Sequence, residues 1–229
     1  MLLLVHLAAG LVVPCVLLRP LTTLPAGFPE TAAGMSSQVR SCVLLLFVGG
    51  ASRLAISVAG WPAVRERCYG LGLVLLALAV VNLTLQIVEN GHWLSMLSVS
   101  QAYAEAGAAE AVLLKSLAIV VRSAWKWAHY SRLLVVVGWI FTLCCLLFRG
   151  ALVPRALAAI GMVASVLQVT GITLPVFAGY RVPLPELFGM WLGLADLVLA
   201  VWLMAMICDN GLVATDYPQA PAAALGVIL

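Results

Sequence analysis

The feature that most constrains this chain is its shortage of charge. Asp, Glu, Lys and Arg make up 9% of the 229 residues, whereas 64% are hydrophobic. A soluble domain carries about 25% charged residues, so this chain has too few to cover a surface that faces water. Its apolar runs reach the ~20 residues that a helix needs to cross about 30 Å of hydrocarbon. We therefore predict an all-α, polytopic transmembrane helical bundle of about seven helices with short loops.

Apolar runs that end at Pro, Gly and charged residues define the predicted spans. We interpret residues 1–229 as a single transmembrane domain of a multi-pass cell-membrane protein. The N-terminal run lacks a basic region and an Ala-x-Ala site, which favours a first span over a cleaved signal. Polar residues become frequent between 89 and 109, where we expect a re-entrant or interfacial segment. The predicted spans are approximately 1–18, 42–61, 69–88, 104–121, 133–148, 156–177 and 187–208.

The charge pattern, the histidines and the cysteines exclude several classes of function. The formal net charge of +3 comes from Lys and Arg at helix ends, without the basic stripe that nucleic-acid binding requires. His6, His92 and His129 form no HxxxH pair, so we predict no metal site and no cofactor. The six cysteines form no CxxC pair and are interpreted as apolar membrane residues. The expected partners are the lipid bilayer and a hydrophobic small molecule, not nucleic acid.

A basic and aromatic stretch follows the fourth predicted span. Such side chains anchor helices at the level of the lipid headgroups. We therefore interpret the stretch as an interfacial belt, and a non-catalytic protein that binds a partner or a lipid through this belt is one alternative function. The members of the belt are Arg122, Trp125, Lys126, Trp127, His129, Tyr130 and Arg132.

Among the charged residues within or at the ends of the predicted spans, four stand out as candidate functional groups: Arg53, Glu89, Lys115 and Asp196. A charge at the bilayer centre costs about 2.5–3.5 kcal/mol on insertion scales, so each needs a partner or a polar cavity. Asp196 has apolar neighbours on both sides in the sequence. It either pairs with Arg53 or stays a neutral carboxylic acid that can donate a proton.

The third predicted span has one polar face. Asn82, Gln86 and Glu89 are spaced by four and three residues, so their side chains project from the same side of a helix. This face either orients a substrate or bonds to neighbouring helices as a structural contact.

The C-terminal part of the chain, from Tyr130 to Asn210, resembles the DUF4386 family of bacterial membrane proteins. The matching features are WIFTLCCLLFRGALVPRALAAIG, residues 139–161, and ADLVLAVWLMAMI, residues 195–207. In that family the last helix usually carries a Glu six residues before a Trp-Leu pair, and Asp196 has this spacing before Trp202 and Leu203. The resemblance implies a bundle of six or seven helices with no agreed activity, in the bacterial inner membrane, with Asp196 at the family's acidic position.

Two carboxylates and several tryptophans lead to our functional expectation. A carboxylic acid can protonate an isoprenoid-type substrate and so start its cyclisation, and aromatic faces stabilise the cations that form. We therefore expect Glu89 and Asp196 to act as catalytic acid and base in such an acid-initiated cyclisation. The size and plan are similar to those of small membrane-bound terpene cyclases. In this hypothesis the substrate-binding residues are Asn82, Gln86, Trp93, Trp191, Trp202 and Arg53.

The alternative from another class is a small-molecule or proton-coupled transporter. In that case the four charged residues of the predicted spans form a proton relay, as ionisable residues do in many transporters. Internal repeats, which are common in transporters, are not evident in this sequence. Both hypotheses depend on Asp196.

Overall fold

The computed structural model describes residues 28–150, 153–178 and 184–213. These residues form helices joined by short turns, which confirms the all-α prediction. The first predicted span, residues 1–18, lies outside the described residues. The helices are α1 (Phe28–Thr31), a 3₁₀ turn (Ala33–Met35), α2 (Ser36–Glu105), α3 (Ala108–Arg149), α4 (Arg155–Ala178) and α5 (Leu184–Val213).

Four helical stretches are long and apolar enough to cross a membrane. A shorter apolar stretch, Phe188–Trp202, lies in α5. Length and composition therefore define a polytopic membrane protein, as the sequence predicts. The four long stretches are Ala33–Pro62, Cys68–Glu105, Ala108–Arg149 and Arg155–Leu174.

Helix α2 consists of two arms that meet at a kink. The backbone leaves the helical region at Cys68, with φ −145° and ψ 56°, six residues after Pro62. Proline has no backbone N–H and disturbs the helical hydrogen bonds around it. We call Ala33–Pro62 the first arm and Cys68–Glu105 the second arm. The kink follows the charged turn that separates the second and third predicted spans.

The helices continue through two predicted interruptions. Residues 89–105 are helical and continue the second arm, which ends at Glu105 before the extended backbone of Ala106. The predicted re-entrant or interfacial segment stays a prediction. The predicted spans 104–121 and 133–148 lie mostly on the single helix α3. Residues 122–132 contain no Pro or Gly, so the change from apolar to charged residues does not break the helix. At 1.5 Å per residue α3 is about 63 Å long, roughly twice the hydrocarbon thickness.

The chain divides into two compact units, which we name after their buried carboxylates. Among the described residues, the Asp196 unit contains Ser52–Asn82 and the residues from Leu133 onward. The Glu89 unit contains residues 28–51 and Leu83–Arg132. Parts of α2 and α3 therefore belong to each unit.

Two glycines bring helices close together in the Asp196 unit. A Cβ atom at Gly161 of α4 would lie 2.5 Å from Cys144 Sγ of α3, closer than atoms can approach. A Cβ atom at Gly189 of α5 would lie 3.4 Å from the Gln168 amide nitrogen of α4. The contact at Gly161 requires glycine. At Gly189 the amide of Gln168 lies against α5, on the helix face that also carries Asp196, seven residues after Gly189.

The Glu89 unit has a hydrophobic core between the first arm, the second arm and α1. Phe28, Val39, Cys42, Trp93 and Met96 are buried in it. One serine of the second arm fastens the short N-terminal helices to this core. Ser100 Oγ accepts a hydrogen bond from the Ala33 N–H and donates one to the Pro29 carbonyl, each at 2.8 Å.

Lys115, a predicted relay residue, lies on the outer face of α3. Its Nζ is 3.2 Å from Glu30 Oε1, and both side chains are exposed. It also lies 5.4 Å from the centre of the Tyr103 ring. Its position is that of a surface ion pair between α3 and the N-terminal helices rather than a buried charge.

Candidate functional sites

The first candidate site is a buried carboxylate with two basic partners in the Glu89 unit. Glu89 Oε1 lies 2.8 Å from His129 Nδ1. Glu89 Oε2 accepts a hydrogen bond from Arg132 Nε. His129 and Arg132 are three residues apart on α3, which places both opposite one residue of the second arm. The carboxylate is therefore bonded at both oxygens.

These bonds fix the state of the imidazole. A carboxylate beside Arg132 can only accept hydrogen bonds, so the contact with Glu89 requires a proton on His129 Nδ1. The other ring nitrogen, Nε2, then remains for a different partner. The His129 side chain is 27% exposed, whereas Glu89 is buried. The buried acid thus orients a partly accessible histidine.

Two tryptophans extend this cluster. The Trp125 ring stacks on His129, with centroids 5.4 Å apart and an interplanar angle of 22°. The Trp93 ring meets Trp125 edge-on at 4.9 Å. The indole N–H groups of Trp93 and Trp125 are buried and have no acceptor within the described part of the chain. A donor without an acceptor costs free energy when it is buried.

Gln86 and Asn90 form a separate contact between the two arms. Gln86 Nε2 donates to Asn90 Oδ1 at 3.0 Å, and Asn90 Nδ2 donates to the Val43 carbonyl at 3.2 Å. A Cβ atom at Gly50 would lie 3.3 Å from Gln86 Cγ. Gln86 therefore bonds to Asn90 within the second arm, and Asn90 makes the hydrogen bond to the first arm. The predicted role of Gln86 stays a prediction.

The second candidate site surrounds Asp196 in the other unit. Asp196 is 5% exposed, and Arg53 and Asn82 are also buried. Arg53 Nη1 donates a hydrogen bond of 3.4 Å to Asn82 Oδ1, and its positive charge attracts Asp196. Asp196 Oδ1 and Asn82 Nδ2 have no hydrogen-bond partner among residues 28–150, 153–178 and 184–213. The structure thus places Arg53 near Asp196 without satisfying the carboxylate.

Two linked hydrogen bonds hold the backbone that carries Arg53. The Ser57 hydroxyl donates to the Arg53 carbonyl at 2.9 Å, one turn back along the first arm. Ser57 Oγ also accepts a hydrogen bond of 2.9 Å from the indole N–H of Trp139 on α3. Trp139 is fully buried. Ser57 and Trp139 therefore position the helical turn on which Arg53 lies.

The predicted site residues divide between the two units. Arg53, Asn82 and Asp196 form the cluster of one unit, whereas Gln86, Glu89 and Trp93 belong to the other. The predicted joint role of Glu89 and Asp196 as acid and base stays a prediction. Within the described residues there is no group of three His, Cys, Asp or Glu placed to hold a metal ion.

The other two predicted tryptophans, Trp191 and Trp202, are exposed on α5. Trp191 lines an apolar groove of about 320 Å³ with residues of α4. Their assignment to a substrate site stays a prediction. The residues of α4 in the groove are Ala159, Ile160, Val163, Ala164 and Leu167.

Sequence reasoning missed His129, Arg132 and Trp125 as partners of the acidic site. They were interpreted as members of the interfacial belt, because the belt has the composition of a headgroup anchor. The available signal was their spacing. Positions 125, 129 and 132 share one face of a helix, as do Glu89 and Trp93 on the second arm.

Fold and sites together define a polytopic α-helical membrane protein with a buried carboxylate in each of two units. The chain matches the family described as a domain of unknown function, DUF4386, over residues 1–206, and it belongs to that family. The match covers the first half as well as the C-terminal part on which the resemblance was noted. Comparisons with curated proteins and with solved structures found no match, and none supports the likeness to terpene cyclases.

Proposed function

We propose that this protein moves protons through the membrane, with Asp196 as the group that binds and releases them. The observation that carries the proposal is a buried carboxylate on an apolar helix with one oxygen that has no hydrogen bond in the described structure. Ionisable residues inside a membrane mark ion pathways and proton relays more often than they serve stability alone.

The surroundings of Asp196 suit a change of protonation. Arg53 stays charged under all physiological conditions, so it can balance the ionised carboxylate and keep its bond to Asn82 when the carboxylate is neutral. Cys144 of α3 is a further titratable side chain that interacts with Asp196. Arg53 attracts Asp196 by its charge, but Asp196 Oδ1 has no hydrogen-bond partner in the described part of the chain. A proton on Asp196 therefore removes an incompletely bonded buried charge, and both forms are accessible.

The proposal is tested by proton flux into liposomes. Purified protein is reconstituted with an entrapped pH-sensitive dye, and a potassium gradient with valinomycin supplies the driving voltage. We expect inward proton flux above that of protein-free liposomes. Asp196→Asn should abolish it, because the amide has nearly the same shape but cannot ionise, and Asp196→Glu should retain part of it.

Glu110→Gln is the matched control, since Glu110 is an exposed carboxylate at the start of α3. Its flux should equal that of the wild type. Equal flux in the wild type and in Asp196→Asn, with both proteins eluting as the same folded species in gel filtration, would contradict the proposal. A wild-type flux no greater than that of empty liposomes would contradict it as well.

The isoprenoid hypothesis keeps one supporting observation. The groove at Trp191 is apolar and opens beside α5 five residues before Asp196, so it could hold a hydrocarbon chain. In this function Asp196 would add a proton to an alkene, and a later loss of a proton would give a cyclic product of unchanged mass. Turnover of a prenyl substrate to such an isomer, absent in Asp196→Asn, would favour this second candidate over proton movement.

A further inference from the structure

We propose that the Glu89 unit binds a phosphate group at Trp93, Trp125 and His129. This site is distinct from Asp196 and does not depend on the proton function. It rests on three observations: buried indole donors without acceptors, an imidazole oriented by a carboxylate, and a local excess of positive charge.

The two indole N–H groups require an acceptor. Trp93 is 3% exposed, and neither its Nε1 nor that of Trp125 has a partner in the described ranges. The indole nitrogen only donates, so the group that completes its bonding must carry an accepting atom such as oxygen. The two rings touch, with centroids 4.9 Å apart, so the two indoles are direct neighbours.

His129 supplies a third polar group to the same region. Its ring stacks on Trp125, and Glu89 occupies Nδ1. Nε2 is therefore the nitrogen that remains to face a ligand, on a side chain that is partly exposed. When it is protonated, Nε2 donates a charge-assisted hydrogen bond, which is the stronger kind.

The charge around this region favours an anion over a neutral acceptor. From Ala111 to Arg149, α3 contains no Asp or Glu. Arg132 balances Glu89. Lys126, which lies between Trp125 and His129 in the sequence and 5.8 Å from the centre of the Tyr130 ring, adds a positive charge with no acidic partner among the described residues. A phosphate group combines negative charge with several accepting oxygens and so matches both donors and charge.

The phosphate can come from a lipid headgroup or from a soluble ion, and a binding experiment separates the two. The full-length protein is held in a neutral maltoside detergent. Inorganic phosphate and a short-chain phosphatidylglycerol are titrated separately, and binding is followed by calorimetry. A short-chain phosphatidylcholine, which carries the same phosphodiester with a compensating positive charge, serves as the reference lipid.

The variants Trp93→Phe and Trp125→Phe keep an aromatic ring and remove the N–H donor. Each should weaken binding about tenfold, as expected for a hydrogen bond to a charged acceptor. Trp127→Phe is the matched control, because Trp127 is 53% exposed on the same helix, and it should bind as the wild type does. Thermal unfolding of each variant shows whether it is folded.

The outcomes decide between the sources and test the site. Binding of both ligands with loss in the two indole variants identifies a site for any accessible phosphate, whereas binding of phosphatidylglycerol alone identifies a lipid headgroup. No binding of either ligand would overturn the proposal. Binding unchanged in Trp125→Phe would also overturn it, and this variant stands alone if Trp93→Phe does not fold.

Discussion

The two buried carboxylates of this protein are stabilised in different ways. Glu89 has a basic partner at each oxygen, Arg132 and His129. Asp196 is attracted by Arg53 but has an oxygen without a hydrogen bond in the described structure. A fully bonded buried charge is held in one state and orients its neighbours, whereas an incompletely bonded one can gain or lose a proton at lower cost. We therefore expect Glu89 to keep one protonation state and Asp196 to change its own.

The largest effect that tests this comparison is on stability. Glu89→Gln leaves Arg132 buried without its countercharge, and we expect a loss of about 3–5 kcal/mol in the free energy of unfolding. Asp196→Asn removes a buried charge whose Oδ1 has no hydrogen-bond partner among the described residues, and we expect a much smaller loss. Unfolding of both variants in mixed micelles, followed by circular dichroism, measures the difference. Equal losses would remove the distinction between the two sites.

A second test measures how tightly the helices pack in the Asp196 unit, whose carboxylate is incompletely hydrogen-bonded. Gly161→Ala places a methyl group against Cys144 Sγ, and overpacking of this kind costs about 1–3 kcal/mol. Cys144→Ala removes the sulfur, so the double variant should recover most of the loss. The free energies of unfolding of the two single variants and the double variant form a cycle. Additive losses would show that α3 and α4 are not in close contact here.

The smallest expected effect concerns the exposed ion pair of the Glu89 unit. The Lys115 and Glu30 side chains are 55% and 39% exposed, so solvent screens their attraction. Exposed pairs contribute little to stability, so Lys115→Gln should lower the thermal midpoint by no more than a few degrees. Repeating the melt at high salt should leave the variant unchanged. A loss as large as that of Glu89→Gln would contradict the contrast between exposed and buried pairs.

The sequence predicts the class of this fold because composition decides it. Charges are too few for a water-covered surface, and the apolar runs have the length of membrane spans. The turn between the first and second arms was also predictable, because it combines Pro62 with charged residues. Composition does not reveal where a helix continues through charged residues, so the extent of the second arm and of α3 was not foreseen.

The candidate sites were predictable in part. Arg53, Asn82 and Asp196 stand out because each is polar within an apolar run, and the structure gathers them in one unit. The partners of Glu89 did not stand out. His129 lies 40 residues later, and its contact depends on the register between two long helices, which no local pattern specifies. A basic aromatic stretch has the same composition whether it anchors a helix at the lipid headgroups or forms part of a binding site.

The bond between Trp139 and Ser57 has a mechanical consequence. One hydroxyl joins the indole of α3 to the peptide that carries Arg53, with 2.9 Å on each side. Sliding of α3 along the first arm would have to break this bond or take the turn of Arg53 with it. Within the Asp196 unit, the backbone that carries Arg53 and the turn of α3 that carries Trp139 are therefore tethered and should move together.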